Sequence, residues 1–438
     1  MSEKMRDSGV DWIGEIPVGW EVKKLLYDLR DPITDGPHET PELVGKGIPF
    51  ISVDSLDDEG NIDLNVKKFI SKELYEEYNR KTKLTKGDVF FTKAATIGKT
   101  AIYDAQKLMV WSPIAVVKPG ENLLSKYLYY IFKTDGYVES AKLLGGYTTQ
   151  INLGMRAMES TKIPSPPLTE QKNITDYLDK QTSKFDQAQK LLKNEIERLR
   201  AYKKSLIYET VIKGLDKNVQ FKDSGMDWIG EIPEDWEVSP LKFLTTKIGS
   251  GKTPLGGAET YLDEGIMLLR SQNIYSEALR LDDVVRISEE VFREMQSTSV
   301  NKNDVLLNIT GASIGRVGFY DLDEKANVNQ HVSIIRTKID FLSPKYLFYV
   351  LQSSVGQNYI STYQFGGNRE GLNFQQIGNF RLPVPELTIQ EEISKYLDEK
   401  TNKIDQIIKI KEQQLTNLSE QRKTLIYEVV TGKRKINV

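Results

Sequence analysis

An internal duplication constrains this chain more than any other feature. The phrase DSGVDWIGEIPVGWEV begins at Asp7, and DSGMDWIGEIPEDWEV begins 216 residues later at Asp223, with three of sixteen positions changed. A period this long indicates two duplicated domains, because solenoid repeats span only about 20–50 residues. Further segments recur in the same order at offsets of 216–219 residues: Lys86–Asp104 with Lys302–Asp321, Ser125 onward with Pro344 onward, and Ile163 onward with Leu382 onward.

Each copy begins with a loop-rich region of roughly 145 residues, within the range of a single domain. It is rich in Gly, Pro and Asn and contains short β-type runs such as DVFFT (Asp88–Thr92) and VSIIRTK (Val332–Lys338). Turn signals separate these runs, and helical stretches such as SKELYEEYNRK (Ser71–Lys81) intervene. The pattern predicts a compact α+β domain.

The last part of each copy predicts one long helix with an apolar stripe. The stripe indicates a coiled coil in which the two helices pack on each other, although each helix could instead cover only its own domain. Either orientation is open in principle, and copies related by a two-fold axis would give antiparallel helices. The stripe repeats every seven residues, through Leu178, Phe185, Leu192, Leu199 and Leu206 in the first copy and Leu397, Ile404, Leu418 and Leu425 in the second, where Lys411 interrupts it.

The charge balance is not that of a generally basic nucleic-acid-binding protein. Lys and Arg number 59 against 62 Asp and Glu, for a net charge of −3. DNA binding would therefore need clustered positive charge or a partner that supplies part of it. The chain has no cysteine, so it has no disulfide framework or Cys-based metal site. No apolar run approaches the roughly 18 residues of a membrane span, and we expect a soluble intracellular protein.

Two short motifs suggest nucleotide binding but lack the glycine that opens a phosphate-binding loop. Thr246 stands at that position before GSGKT (Gly249–Thr253), and Lys93 stands there before IGKT (Ile97–Thr100). The sequence therefore predicts no nucleotide site at either place.

Methyl-transfer and metal chemistry also lack their residues. SPP at Ser165–Pro167 is followed by Leu168, where an amino-methyltransferase motif has an aromatic residue. The two histidines, His38 and His331, lie in different copies without matching partners, so no triad or metal site is predicted. We predict no catalytic residue and no metal ligand.

The two copies agree in the opening phrase and the helices but differ in their loops. A common scaffold around divergent domains suggests one shared attachment and two different targets, although loops also drift where packing constrains only the helices. Loops that combine Gly with Lys, Arg, Thr, Asn or Gln suit phosphate contacts and hydrogen bonds to base edges. Such loops are Thr34–Glu42, Thr92–Thr100 and Gly145–Leu153 in the first copy, and Ile248–Gly257, Asn308–Arg316 and Gly366–Phe374 in the second.

The chain resembles the specificity subunit of type I restriction–modification systems. The resemblance is carried, in duplicated order, by IPVGWEV and IPEDWEV, DGPHETP and GSGKTP, TIGK and SIGR, and PPLTEQ and PELTIQ. It covers essentially the whole chain. It implies an α+β fold in which two globular target recognition domains of mixed α/β type are separated by two long helices that pair as an antiparallel coiled coil, with a pseudo-two-fold internal repeat.

The resemblance also implies domain boundaries. A strap, our name for the repeated opening phrase, precedes each recognition domain, and a spacer helix follows it. The expected ranges are 1–22 for the first strap, 23–167 for recognition domain 1, 168–215 for spacer helix 1, 216–238 for the second strap, 239–386 for recognition domain 2 and 387–438 for spacer helix 2.

The function implied by the resemblance is recognition of double-stranded DNA. Each domain would read one half of a bipartite, asymmetric site, while the helices would set the spacer and dock two modification (methyltransferase) subunits. Two restriction (motor and nuclease) subunits would complete a cytoplasmic complex with adenine-N6 methyltransferase and ATP-dependent endonuclease activity. The chain itself would be non-catalytic, without a membrane partner or cofactor, since S-adenosylmethionine, ATP and Mg²⁺ would bind partner subunits. A DNA methyltransferase with built-in recognition domains and a non-nucleic-acid adaptor scaffold are the alternatives.

Candidate DNA-binding residues come from the divergent loops rather than from the straps. Trp12, Trp20, Trp228 and Trp236 are shared by both copies, so they are poor candidates for reading different sequences and are predicted to be structural. The candidates are Thr34, Gly36, His38, Lys93, Thr96, Lys99, Tyr147, Thr149 and Gln150 in the first domain, and Ser250, Lys252, Thr253, Arg270, Asn273, Thr310, Arg316, Asn368 and Arg369 in the second.

Overall fold

The computed structural model of the chain describes residues 4–145, 152–363 and 371–436. The chain divides into two compact units. Unit 1 comprises Met1–Leu192 and Gln413–Val438, and unit 2 comprises Lys193–Glu412. Each unit therefore contains one loop-rich domain and a part of each long helix.

In the described part of the chain, the first copy of the sequence contributes short strands, four shorter helices and the long helix α5, whose later part belongs to unit 2. The strands are β1 Met5–Asp7, β2 Glu15–Pro17, β3 Glu21–Lys24, β4 Leu29–Asp35, β5 Ile48–Ile51, β6 Phe69–Ile70, β7 Val89–Thr92, β8 Thr100–Ile102, β9 Met109–Val110, β10 Ile114–Pro119 and β11 Lys162–Ser165. The helices are α1 Lys72–Thr82, α2 Ser125–Phe132, α3 Asp135–Gly145, α4 Met155–Ser160 and α5 Leu168–Lys213.

The described elements of the second copy follow the same order with one additional strand, and the later part of its long helix α10 belongs to unit 1. The strands are β12 Phe221–Asp223, β13 Glu231–Pro233, β14 Glu237–Pro240, β15 Thr245–Ser250, β16 Ile266–Leu269, β17 Val285–Ile287, β18 Ser299–Val300, β19 Val305–Asn308, β20 Val317–Phe319, β21 Ala326–Val328, β22 Val332–Thr337 and β23 Arg381–Val384. The helices are α6 Glu289–Glu294, α7 Pro344–Gln352, α8 Ser354–Thr362, α9 Phe374–Asn379 and α10 Leu387–Val430.

Each loop-rich domain is built around an antiparallel four-stranded sheet. The strand order is β4-β10-β7-β8 in unit 1 and β15-β22-β19-β20 in unit 2. The central strands are near-continuous apolar runs because both of their faces are covered, and the VFFT strand β7 is buried at all four positions. A second sheet packs beside each, with order β6-β5-β9 in unit 1 and β17-β16-β21-β18 in unit 2.

The two long helices run antiparallel along their contacts in each unit. In unit 1 Arg422 on α10 pairs with Asp186 on α5 at 3.4 Å. In unit 2 Lys203 on α5 pairs with Asp405 on α10 at 2.6 Å. Residue numbers rise on one helix as they fall on the other, which confirms the predicted antiparallel coiled coil. Lys411, which interrupts the apolar stripe, is accommodated by an ion pair with Glu195 at 2.5 Å.

The buried faces of these helices join the domain cores. Ile174 and Leu178 of α5 and Ile426 of α10 belong to the main core of unit 1. Ile207 of α5 and Leu397 of α10 belong to that of unit 2. The helices therefore cover their own domains and pair with each other, which combines both sequence-based alternatives.

The straps close onto the helix ends, in agreement with the structural role predicted for their tryptophans. In unit 1 Trp20 is buried, and a Cβ on Gly432, just after α10, would lie 3.1 Å from its ring. In unit 2 Trp236 is buried, and a Cβ on Gly214, just after α5, would also lie 3.1 Å from its ring. The end of the chain thus occupies in unit 1 the place that the end of α5 occupies in unit 2.

Two isoleucines on α10 provide a test of this core. Ile393 is fully buried, whereas Ile410 is 59% exposed. We expect Ile393→Ala to lower the free energy of unfolding by about 2–5 kcal/mol, because it leaves a cavity in the core of unit 2. The matched Ile410→Ala should change it by no more than about 0.5 kcal/mol. Denaturant unfolding followed by circular dichroism measures both, and equal effects would contradict the assigned burial.

Candidate nucleic-acid interface

The candidate loops of the two domains share one backbone frame. In the loop after β7 the Gly98 N–H donates to the Thr92 carbonyl at 3.0 Å, and in the loop after β19 the Gly315 N–H donates to the Asn308 carbonyl at 2.9 Å. The N–H of the residue after each strand donates to the opposite loop, Lys93 to Pro113 at 2.8 Å and Ile309 to His331 at 3.0 Å. Lys93 of unit 1 therefore occupies the position that Ile309 occupies in unit 2. By the same backbone bonds, Pro113 corresponds to His331 and Lys99 corresponds to Arg316.

A glycine marks the same close approach at the end of the first strand of each sheet. A Cβ on Gly36 would lie 1.7 Å from the Val110 carbonyl oxygen, and a Cβ on Gly251 would lie 1.6 Å from the Val328 carbonyl oxygen. Only glycine fits such a separation between backbones. These two glycines align the loops TDGPH and GSGKT, although little else in their sequences matches.

In unit 1 this frame holds a buried carboxylate surrounded by three basic side chains. Asp35 is 1% exposed, and its oxygens lie 3.1 Å from His38 Nε2, 3.5 Å from Lys93 Nζ and 3.7 Å from Lys81 Nζ. Lys93 is buried with Asp35, whereas the side chains of His38 and Lys81 are exposed. Three predicted residues, Gly36, His38 and Lys93, therefore converge on a carboxylate that sequence reasoning missed.

Several polar atoms around this cluster are buried without a hydrogen-bond partner among the described residues. They are the Thr34 hydroxyl oxygen, the indole nitrogen of Trp111 and the carboxylate oxygens of Asp35, which take part in the ion pairs given above but accept no hydrogen bond of good geometry. Buried polar atoms are nearly always paired in folded proteins, so this concentration of exceptions marks a place with unused hydrogen-bonding capacity.

In unit 2 the same frame holds a chain of side-chain hydrogen bonds that contains no carboxylate. The Thr253 hydroxyl bonds to the side-chain oxygen of Gln330, and Gln330 Nε2 lies 3.1 Å from His331 Nε2. His331 Nδ1 in turn lies 2.6 Å from the Thr310 hydroxyl. Two predicted residues, Thr253 and Thr310, are thus joined through Gln330 and His331, which were not predicted.

A shallow pocket of about 320 Å³ opens beside this chain. Its polar lining combines hydroxyl, amide, imidazole and guanidinium groups, which are the groups that hydrogen-bond to base edges. The residues that line it are Ser271, Gln272, Thr310, Gly311, Ala312, Ser313, Arg316 and His331.

Arg316, at the rim of the pocket, is oriented by an aromatic ring. Its guanidinium carbon lies 4.5 Å from the centroid of the Tyr275 ring, and that of Arg280 lies 3.6 Å from the same centroid. Stacking on an aromatic ring restrains a guanidinium group while leaving its N–H groups free to donate. Both arginines are exposed, and Arg316 is the one that lines the pocket.

The remaining candidates in unit 1 divide between exposed and occupied side chains. Thr96 is exposed in the loop after β7. Lys99 is half-buried, and its ammonium donates to the Leu56 carbonyl at 2.8 Å. Tyr147, Thr149 and Gln150 lie outside the described residues.

The remaining candidates in unit 2 divide in the same way. Lys252 is exposed, and Ser250 is half-buried with its hydroxyl directed to the Gly251 carbonyl. Arg270 donates to the Asp283 carbonyl at 3.1 Å. Asn273 is fully buried, and its amide donates to the Arg280 carbonyl at 2.8 Å. Asn368 and Arg369 lie outside the described residues.

Sequence reasoning missed the residues that organise these loops. The missed residues are Asp35 and Lys81 in unit 1, and Tyr275, Arg280, Gln330 and His331 in unit 2. Only the glycine shared by TDGPH and GSGKT could have directed attention to Asp35. Across the described residues no group of three or more His, Cys, Asp or Glu side chains could hold a metal ion. No described helix is both long enough and apolar enough to cross a membrane.

The fold defines the class of this protein as a duplicated α+β domain protein assembled on an antiparallel helix pair. Residues 34–198 and 233–417 match the Methylase_S family, the type I restriction modification DNA specificity domain. The chain belongs to this family and carries its domain twice.

Two relatives match nearly the whole length of the chain. It is 26% identical over 438 residues to the putative type I restriction enzyme MjaX specificity subunit of Methanocaldococcus jannaschii, which covers 97% of this chain and 96% of that protein. It is 26% identical over 430 residues to the MjaVIII specificity subunit of the same organism, covering 96% of this chain and 94% of that one. A chain solved in a study of assembly and conformational transition of the type I R-M system has the same fold, with a TM-score of 0.72, 16% identity and coverage of 96% and 99%.

The close approach of Gly251 to the Val328 carbonyl in unit 2 can be tested with the neighbouring Gly249 as control. Gly251→Ala would place a methyl group against the Val328 carbonyl, a backbone atom that cannot rotate away, and we expect it to cost about 1–3 kcal/mol of stability. A Cβ on Gly249 would meet open space, with no neighbouring atom within 4 Å, so Gly249→Ala should be nearly neutral. Thermal unfolding of the two variants compares them, and a neutral Gly251→Ala would contradict the close approach.

Proposed function

We propose that the chain recognises double-stranded DNA for a type I restriction–modification complex, with each domain reading one half of a bipartite, asymmetric site. The observation that carries the proposal is a loop frame that is repeated in both domains but holds different side chains. A common frame presents both sets of loops in the same way, while different donors and acceptors select different base sequences. The family assignment supplies the class of target.

The two clusters suit complementary kinds of DNA contact. In recognition domain 1, His38 and Lys81 expose their side chains beside the buried Asp35, which suits contact with phosphates. In recognition domain 2, Arg316 stands beside hydroxyl, amide and imidazole groups, which suits base edges in the major groove. Thr34, Gly36, Lys93, Thr96, Ser250, Lys252, Thr253 and Thr310 belong to the same two loop sets, and we include them in the proposed interface.

The remaining candidates have two different proposed roles. Lys99, Arg270 and Asn273 each donate a side-chain hydrogen bond to a carbonyl within the domain, so we propose that they hold the loops. Tyr147, Thr149, Gln150, Asn368 and Arg369 remain proposed contacts on the strength of their sequence positions.

We further propose that catalysis lies with partner subunits. Two modification subunits would dock on the helices and methylate adenine with S-adenosylmethionine, and two restriction subunits would add ATP- and Mg²⁺-dependent translocation and cleavage. The chain, divided at the boundaries given above, would then contribute recognition and spacing in the cytoplasm. Its net charge of −3 is compatible with this role if the modification subunits supply much of the positive surface around the DNA.

Co-expression of the chain with its modification subunit, followed by genome-wide mapping of N6-methyladenine, tests the proposal. We expect one bipartite motif with a constant spacer, and exchange of residues 23–165 for those of another family member should change only one half. Methylation by the chain alone would favour a methyltransferase. Absence of any motif with the partner present would favour an adaptor scaffold.

Arg316→Ala provides a test at residue level. A good bidentate contact between arginine and a base is worth about 1–3 kcal/mol of discrimination, so the variant should accept other bases at one position of one half-site. The same methylome measurement reports this change. Arg293→Ala is the matched control, because Arg293 is exposed on α6 of the same domain and pairs with Glu289; an equal effect of both variants would remove Arg316 from the proposed interface.

A further inference from the structure

The polar network that joins each recognition domain to the start of its long helix occurs twice, although most of the loops have diverged. Its side chains recur at a constant offset of 219 residues. Those of unit 1 are Tyr130, Gln171, Asp179 and Thr182, and those of unit 2 are Tyr349, Gln390, Asp398 and Thr401. We call each set a joint.

A buried glutamine forms the first part of each joint. Gln171 is fully buried on α5, accepts from the Leu124 N–H and donates to the carbonyls of Asn122 and Pro166, all at 2.9 Å. These partners lie just before α2 and just before α5, so a single side chain fastens a domain helix to the long helix.

The glutamine of unit 2 makes the same three bonds. Gln390 is fully buried on α10, accepts from the Ser343 N–H at 2.8 Å and donates to the carbonyls of Phe341 and Pro385 at 3.0 and 2.8 Å.

A tyrosine, an aspartate and a threonine form the second part. In unit 1 the Tyr130 hydroxyl on α2 donates to Asp179 on α5 at 2.7 Å and lies 3.3 Å from the Thr182 hydroxyl. Burial raises the pKa of Tyr130, so its hydroxyl stays protonated and remains a donor at neutral pH.

Unit 2 repeats these contacts. The Tyr349 hydroxyl on α7 donates to Asp398 on α10 at 2.5 Å and lies 3.3 Å from the Thr401 hydroxyl. Burial raises the pKa of Tyr349 in the same way. A lysine on the same domain helix also pairs with this aspartate, Lys126 with Asp179 in unit 1 and Lys345 with Asp398 in unit 2.

Apolar side chains could bury the same surface without hydrogen bonds, but they would allow one element to slide on the other. The glutamine, tyrosine and threonine of each joint are buried, so a rotation would leave their donors or acceptors unpaired in the interior, whereas the aspartate that accepts from the tyrosine is partly exposed. The joint therefore specifies the angle at which each domain meets its helix.

That angle matters for a protein that reads two separated half-sites. One extra base pair displaces a half-site by about 3.4 Å along the duplex and rotates it by about 35°, since one turn contains roughly 10.5 base pairs over about 34–36 Å. A joint that allowed a domain to rotate on its helix would let both domains bind half-sites separated by a spacer of the wrong length.

We propose that the two joints are positioning elements that set how strictly the chain discriminates spacer length between its half-sites. This inference rests on the proposed function and assigns a separate property to residues that do not touch DNA. Loosening a joint should leave the bases of both half-sites unchanged and should raise activity on sites whose spacer is one base pair too short or too long.

Tyr349→Phe tests the inference because it keeps the ring and removes the hydroxyl. The complex with the modification subunit is assayed on duplexes with the spacer found in its genomic motif and with that spacer changed by one base pair. We expect the ratio of methylation rates, altered over correct spacer, to rise about tenfold, which corresponds to roughly 1.4 kcal/mol. Tyr130→Phe repeats the test in unit 1 and substitutes for it if Tyr349→Phe does not fold.

Buried tyrosines away from the joints provide matched controls. The Tyr320 hydroxyl donates to the Glu324 carbonyl within recognition domain 2, and the Tyr137 hydroxyl donates to the Met158 carbonyl within recognition domain 1. Tyr320→Phe and Tyr137→Phe should change this ratio of methylation rates by less than about twofold. Each removes a hydrogen bond to a neutral carbonyl inside one domain, which is weaker than a hydrogen bond to a charged group and lies outside the joint.

The outcomes separate this inference from the proposed function. If the wild-type complex shows no bipartite motif, the proposed function fails. If the wild type shows a constant spacer and the joint variants discriminate spacers as strictly as the controls, the proposed function stands and the positioning role of the joints is overturned.

Discussion

The structure depends on the pairing of two long helices that run antiparallel. An amphipathic helix of more than forty residues exposes an apolar stripe longer than one small domain covers, so each helix needs the other. Antiparallel packing builds the helical layer of each unit from the beginning of one helix and the end of the other. The ion pairs Arg422–Asp186 and Lys203–Asp405 have largely buried basic side chains and partly exposed carboxylates, and each is consistent with antiparallel packing in its own unit.

The duplicated frame shows how one scaffold carries two different binding surfaces. Gly36 and Gly251 preserve the close backbone approach, because no side chain fits there, and the hydrogen bonds of the neighbouring loops are the same in both domains. The side chains on this frame are free to differ, so Lys93 in one domain stands where Ile309 stands in the other. Backbone geometry and surface chemistry are thereby separated, which suits a protein with two targets.

The sequence predicted the architecture better than the roles of individual side chains. Lys99 and Asn273 were reasonable candidates by residue type and loop position, yet their side chains bond to carbonyls of Leu56 and Arg280 inside the domain. Asp35 carried no signal of its own among 62 acidic residues, although it organises three basic groups. A side chain's partner depends on which distant segment folds against it, and pattern reasoning within a loop does not contain that information.

By itself, the sequence determined the duplication, the α+β character of the two domains and the long amphipathic helices, because repeats and periodicity are properties of the linear order. Only the tertiary structure decided that each unit combines parts of both helices, that Asp35 contacts the basic side chains of unit 1 while His331 links Thr310 to Gln330 in unit 2, and that Gln171 and Gln390 join domain to helix. Those features arise from burial and hydrogen bonding between segments far apart in the chain, and such contacts exist only once the apolar stripes have packed.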